Sequence, residues 1–106
     1  MSTDTVADWL ALVDAAYPLR EAAEWDNVGL QIGDPAWIVS RVLVALDVTA
    51  EVIDEAAQVD GTLVVAHHPL LFRGLERLAP DTAAGRLALH AATLRVPIIA
   101  AHTNLD

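Results

Sequence analysis

Hydrophobic positions along the chain follow two spacings, and each spacing predicts a different kind of element. Apolar residues at helical spacing predict an amphipathic helix over about residues 5–16, which Pro18 ends. Three short apolar runs at residues 42–46, 62–66 and 96–101 contain many β-branched residues and predict buried strands. The chain is therefore predicted to alternate helices with buried strands.

Helical patterns fill the intervals between the buried strands. Thr49 is a good N-cap for the second helix, and acidic residues follow it in the first turns, where negative charge is favourable. Asp81 is predicted to cap the third helix. The order strand, helix, strand, helix, strand implies parallel strands joined by right-handed crossovers. The predicted fold class is α/β, a layered and mostly parallel sheet with flanking helices, in a single domain over residues 1–106.

The segment at residues 25–35 has two open interpretations. Apolar and polar side chains alternate across residues 28–32, and this alternation predicts a short strand. The first interpretation is a turn followed by an edge strand. The second is a rim that reaches a functional site through Asp26, Asn27 or Gln31.

Polar side chains follow each predicted buried strand at the point where the strand ends. Asp47 follows the first, His67 and His68 follow the second, and His102 follows the third. Because parallel strands about 4.8 Å apart present their carboxyl ends at one edge, we expect these side chains to share a crevice. Pro69 favours extended backbone at His68, so both adjacent rings can turn towards that edge. Asp47 has a competing role as the polar end of its own strand.

A carboxylate, Asp106, follows His102 by four residues. Imidazoles with a carboxylate suit zinc, iron, manganese or nickel, and a carboxylate can bridge two ions about 3.5 to 4 Å apart. His67, His68 and Asp106 are therefore candidate metal ligands. The alternative is that the His-His pair is a hydrogen-bonded structural feature of a strand end. His90, in the third helix, is interpreted as an ordinary surface or partly buried histidine.

Composition excludes several other kinds of chemistry. The net charge is −9, with six arginines and no lysine, which argues against a nucleic-acid partner. The absence of cysteine excludes a disulfide, a thiolate nucleophile and Cys-ligated zinc. The absence of lysine excludes a P-loop clamp and a Schiff base, and neither Ser2 nor Ser40 has a nucleophile-elbow context. His, Asp and Glu chemistry remains.

The hydrophobic share of the chain is high, at 55%. Charged residues interrupt every apolar run well before the roughly 18 residues of a membrane span, so no membrane partner is expected. The amino terminus has no basic region ahead of an apolar one, so no secretory signal is predicted and we expect a cytoplasmic location. The surplus apolar surface predicts burial against further chain or another subunit.

Four short sequence motifs resemble those of a known family: WDNVGLQ beginning at Trp25, DVT at Asp47, HHPLLF at His67 and HTNLD at His102. In this order the chain resembles the amino-terminal half of the NIF-three-like family of dinuclear metal-centre proteins. Part of that family is described as the type-two form of GTP cyclohydrolase I. The resemblance implies that His67, His68 and Asp106 are metal ligands and that His102 lies close to the metals.

The same resemblance implies a larger, duplicated α/β domain of which this chain is half, and homo-oligomers in the form of ring-shaped hexamers built from dimers. Family members are much longer, and their carboxyl-terminal half carries a further metal-binding His and Glu that nothing in these 106 residues matches. Three ligands cannot fill two coordination shells of about four each. The sequence therefore predicts half of a dinuclear site.

Three functions remain open at this point. The first is a hydrolase that uses two divalent ions on a small-molecule substrate, either a nucleotide, as in opening of a purine ring, or a phosphoester. His102 is then the candidate catalytic acid/base or a group behind the ligands. The second is a non-catalytic metal-binding scaffold or regulatory protein. The third is an inactive truncated fragment, and fold alone does not choose among them.

Overall fold

The computed structural model describes residues 4–71 and 77–105. In chain order its main elements are helix α1 (Val6–Ala16), strands β1 (Gly29–Ile32) and β2 (Arg41–Ala45), helix α2 (Ala50–Ala57), strand β3 (Thr62–Ala66), helix α3 (Ala83–Thr93) and strand β4 (Ile98–Ala100). Short 3-10 turns occupy Leu19–Glu21 and Thr103–Leu105. The predicted α/β class is confirmed.

The sheet has four strands in the order β1-β4-β3-β2. Strands β2, β3 and β4 are parallel, as the alternation of strands and helices predicted, whereas β1 pairs antiparallel with β4 at one edge. The last residues of the parallel strands are level, because Ala45 pairs with Ala66 and Ala66 pairs with Ala100. This level end places the three following loops side by side.

Both faces of the sheet are covered by helices. On one face Val6 of α1 packs with Leu63 and Ile99. On the other face Ile53 of α2 and Ala91 of α3 belong to a second core cluster, the other buried members of which are Val48, Ala56, Val64, Ala66, Val96 and Ile98. Alternate residues of β3 therefore serve opposite cores, and each fully buried Leu, Ile or Val contributes about 1.5–3 kcal/mol.

Threonine side chains cap all three helices. Thr5 forms a capping box with Asp8, and Thr49 caps α2 as predicted. The predicted cap of α3 at Asp81 is wrong by one residue, because the Thr82 hydroxyl accepts the Gly85 N–H at 2.9 Å. The Asp81 carboxylate instead contacts the Arg77 guanidinium.

Among the described residues, every helix is too short or too polar to cross a membrane.

Candidate metal centre

Three histidines converge at the carboxyl edge of the sheet. The ring centroids of His67 and His68 are 5.0 Å apart, and those of His67 and His102 are 5.2 Å apart. The His68 and His102 centroids are 5.5 Å apart. Each ring offers one nitrogen, and the three nitrogens lie within 4.8 Å of one another. The predicted convergence of these histidines is therefore observed.

Backbone pairing beyond the strands anchors these residues. The His67 and His68 N–H groups donate to Ala45 O at 3.1 Å and Leu46 O at 2.9 Å, so the contact with β2 continues past the end of β3. The Ala101 N–H donates to Ala66 O at 3.0 Å, next to His102. The histidine side chains thus start from positions that the sheet itself holds.

His67 is oriented by a backbone carbonyl. Its Nδ1 lies 2.9 Å from Ala101 O. Because a carbonyl oxygen can only accept, the neutral ring must carry its proton on Nδ1, and Nε2 keeps the lone pair. His67 is therefore arranged as a nitrogen ligand through Nε2.

His68 is oriented by Asp47. Its Nδ1 lies 2.6 Å from Asp47 Oδ1, and both side chains are substantially exposed. Of the two interpretations that the sequence left open, contact with the histidine cluster is the one observed. A carboxylate that accepts from Nδ1 again leaves Nε2 with the lone pair.

His102 is oriented by Asp26, whose side chain is fully buried, with 0% of its surface exposed. His102 Nδ1 lies 3.1 Å from Asp26 Oδ2 and 3.2 Å from Oδ1. The same carboxylate accepts the Thr103 hydroxyl at 2.7 Å, the Thr103 N–H at 3.0 Å and the Asn27 N–H at 2.9 Å. Asp26 is therefore surrounded by donors.

The pKa of Asp26 reflects two opposed causes. Burial raises it, because a buried charge loses hydration. Hydrogen bonds to the carboxylate, above all from the Thr103 hydroxyl and N–H, outweigh burial and lower the pKa of Asp26 from 3.8 to about 2. Asp26 is consequently ionised at neutral pH and acts only as an acceptor towards His102.

The segment around Asp26 also reaches the loop that follows His68. Asn27 Nδ2 donates to Leu71 O at 2.5 Å, and the Leu71 N–H donates to Gln31 Oε1 at 3.0 Å. Residues 29–32 form an edge strand, as the first interpretation predicted. Asp26, Asn27 and Gln31 contact His102 or the loop after His68, and the second interpretation, that they reach a functional site, stays a prediction. The exposed Trp25 ring lies 6.2 Å from the His102 ring.

Two of the predicted residues lie apart from this cluster or outside the description. Asp106, a predicted metal ligand, lies outside the described residues, so its place in the site stays a prediction. His90 lies in α3, and its Nε2 is 2.6 Å from Oδ1 of Asp54 in α2. This contact agrees with the interpretation of His90 as an ordinary surface histidine.

The donor set of the cluster fits a divalent ion. Metal-binding histidines usually donate the second ring N–H to a carboxylate or carbonyl, and all three rings here have such a partner at Nδ1. Imidazole nitrogens suit zinc, iron, manganese or nickel. The described part of the chain supplies three such nitrogens, fewer than two ions require.

Comparisons with known proteins identify relatives of this chain. Two similar relatives, from Mycobacterium tuberculosis and Staphylococcus aureus, are both named GTP cyclohydrolase 1 type 2 homolog. Each is 42% identical over 101 residues, which is 95% of this chain. The chain spans only 26% and 27% of their lengths, about a quarter of the curated relatives it matches.

Solved structures give the same result for the fold. The crystal structure of a hypothetical protein from Staphylococcus aureus matches with a TM-score of 0.91 at 40% identity, covering 100% of this chain and 30% of that chain. A Bacillus cereus protein related to NIF3 matches with a TM-score of 0.89 at 40% identity, covering 100% of this chain and 29% of that chain.

A family model described as Duf34/NIF3 (NGG1p interacting factor 3) matches residues 4–106, which is nearly the whole chain. The four sequence motifs on which the resemblance rests all lie inside this match. The chain therefore belongs to the DUF34/NIF3 family.

Proposed function

We propose that this chain contributes His67 and His68, with Asp106, to a dinuclear metal site of a hydrolase that acts on a nucleotide or another phosphoester. One observation carries the proposal: His67, His68 and His102 each have Nδ1 against an acceptor, which leaves Nε2 of each ring as the available donor. Metal-binding histidines usually have such an acceptor at Nδ1, and here it leaves Nε2 of His67 and His68 for metal ions and Nε2 of His102 for a proton.

The chain supplies part of this centre. Two divalent ions need more ligands than His67, His68 and Asp106 provide, and the chain spans about a quarter of its curated relatives. We therefore propose that the remaining ligands come from polypeptide outside these residues. On this basis the isolated chain should bind metal weakly, with fewer than two ions per chain.

The roles of the residues follow from their surroundings. Divalent ions at this edge would supply the Lewis acidity that hydrolysis requires. His67 and His68 would hold them through Nε2, oriented by Ala101 O and by Asp47. His102 would be the acid/base, because its Nε2 can accept a proton while Nδ1 keeps its own against Asp26.

Exposed apolar side chains support the proposal that the chain is buried against a second subunit or further polypeptide. Val44 and Leu46, at the end of the edge strand β2, are 77% and 61% exposed. Such residues are costly to leave in water and are typical of a surface that another chain covers. Homo-oligomer formation and a cytoplasmic location stay predictions.

The experiment is a calorimetric zinc titration of chelator-treated protein, with His67→Ala as the test variant and His90→Ala as the matched control. We expect wild type and His90→Ala to bind, and His67→Ala to lose binding, because only His67 belongs to the cluster. Equal loss in both variants would contradict the site. Tight retention of two ions per chain through chelator dialysis would contradict the proposal that this is half of a site.

A turnover assay with GTP and a generic phosphoester separates the hydrolase from its alternative. Metal-dependent hydrolysis that disappears in His67→Ala supports the enzyme. The same assay is done on the chain joined to the further polypeptide that supplies the remaining ligands. If that protein binds metal stoichiometrically but turns over neither substrate class, the metal-binding scaffold is favoured.

A further inference from the structure

In the proposed function, the WDNVGLQ motif enters only through Asp26, the acceptor at His102 Nδ1, although the motif lies against both histidine-bearing strand ends. We propose that Asp26 is a positioning residue that holds the proton of His102 on Nδ1 and so reserves Nε2 for the shared site. Asn27 and Gln31 extend the same role to the loop after His68. This inference rests on the proposed function only for its purpose, since the arrangement itself is tested without metal or turnover.

Asp26 is held in one orientation by three hydrogen-bond donors, and the Thr103 hydroxyl among them accepts the Ala23 N–H at its own oxygen. Two backbone N–H groups, those of Asn27 and Thr103, and the Thr103 hydroxyl point at its two oxygens. The carboxylate is fully buried and stays ionised, so it offers His102 Nδ1 an acceptor and no proton. The neutral imidazole of His102 donates its Nδ1–H to this carboxylate, and the lone pair is left on Nε2.

An amide at this position cannot reproduce the arrangement. Each oxygen of Asp26 faces a backbone N–H, Asn27 at Oδ1 and Thr103 at Oδ2. The NH₂ group of an asparagine must therefore replace one acceptor and oppose a donor. The position at Oδ1 is the less crowded, because Oδ2 accepts both groups of Thr103. There the NH₂ lies within reach of His102 Nδ1 and donates to it, which moves the ring proton to Nε2.

The rest of the segment ties down the other histidine-bearing strand end. The peptide groups of Leu71 are bound on both sides, the C=O by the Asn27 side chain and the N–H by the Gln31 side chain. Gln31 Nε2 donates in turn to Asn27 O at 3.2 Å. Leu71 follows His68 by three residues, so this short loop and the His102 turn are both held by the same polar segment.

The test is a long-range proton–nitrogen NMR spectrum of histidine-labelled, metal-free protein at a pH where the imidazoles are neutral. The spectrum shows directly which ring nitrogen is protonated, and His102→Gln assigns the signal. We expect the Nδ1–H form for His102 in wild type and the Nε2–H form in Asp26→Asn. A wild-type His102 in the Nε2–H form, or a tautomer that Asp26→Asn leaves unchanged, would overturn the proposal.

His90 supplies an internal control in the same sample. It meets Asp54 through Nε2 rather than Nδ1, so its signal should report the opposite tautomer from His102. Asp54→Asn removes the matching carboxylate from a surface pair outside the cluster, and it should leave the His102 signal as in wild type. A change of the His102 tautomer in Asp54→Asn would overturn the specific role of Asp26.

A second measurement covers the case in which Asp26→Asn does not fold. In wild type, the Nδ1 proton of His102 should exchange slowly with solvent, because its acceptor is completely buried. Rapid exchange of that proton would overturn the proposal. Because no metal or substrate is present, these results stand apart from the zinc titration and the turnover assay, which test the proposed function.

Discussion

Asp26 should make the free energy of unfolding fall as the pH is lowered, and Asp26→Asn should remove this contribution. Its folded-state pKa is about 2 against 3.8 for the ordinary group. Since each unit of difference corresponds to about 1.4 kcal/mol, the ionised carboxylate stabilises the folded state by about 2 kcal/mol. Because the pKa is lowered on folding, this stability is present above pH 3.8 and is lost as the pH falls towards 2.

Part of this loss of folding stability is expected between pH 5 and pH 3. From pH 5 to pH 3 the unfolded carboxyl takes up most of its proton while the folded one stays mostly ionised, so about 1 kcal/mol is lost. Asp26→Asn cannot take part in this change. The variant should be about 1–3 kcal/mol less stable at pH 5, because its amide opposes a backbone N–H that the carboxylate accepts. The difference from wild type should then narrow by about 1 kcal/mol at pH 3.

The assay is urea unfolding of metal-free wild type and variant at pH 5 and pH 3. The control is Ile98→Val, which removes about 1 kcal/mol of core packing without changing a charge. Its difference from wild type should be the same at both pH values. The free energies of unfolding of wild type and Asp26→Asn are compared at the two pH values. If their difference stays constant or widens at pH 3, the hydrogen bonds to this carboxylate do not lower its pKa.

Three further predictions concern other parts of the chain. Asp47→Asn should weaken zinc binding about tenfold in a calorimetric titration, because it disturbs the acceptor behind His68, and unchanged affinity would mean that this exposed pair does not orient the ring. Thr82→Ala should lower the free energy of thermal unfolding by about 1 kcal/mol and Asp81→Ala by much less, because Thr82 caps α3. A larger loss in Asp81→Ala than in Thr82→Ala would contradict this cap. Gly85→Ala should destabilise the fold more than Thr82→Ala does, because an added Cβ would lie 2.0 Å from Ala79 O, and a neutral effect would show that the backbone yields there.

Much of the fold follows from local pattern. The apolar runs before His67 and His102 identify two buried strands, and the helical patterns between the runs require parallel connections. The α3 cap shows where such reasoning stops. Asp81 and Thr82 are both good caps by residue type, and in the structure the Thr82 hydroxyl accepts the Gly85 N–H while the Asp81 carboxylate contacts Arg77.

The pattern along the chain is enough to place His67, His68 and His102 at strand ends, because strand periodicity and the right-handed crossover follow from it. The acceptor of each imidazole depends instead on how the whole chain packs. Asp26 stands 76 residues before His102, and Asp47 stands 21 residues before His68. Such pairs are set by how distant loops pack at one sheet edge, and no local pattern records that packing. The ring nitrogen that each histidine presents therefore depends on the folded chain.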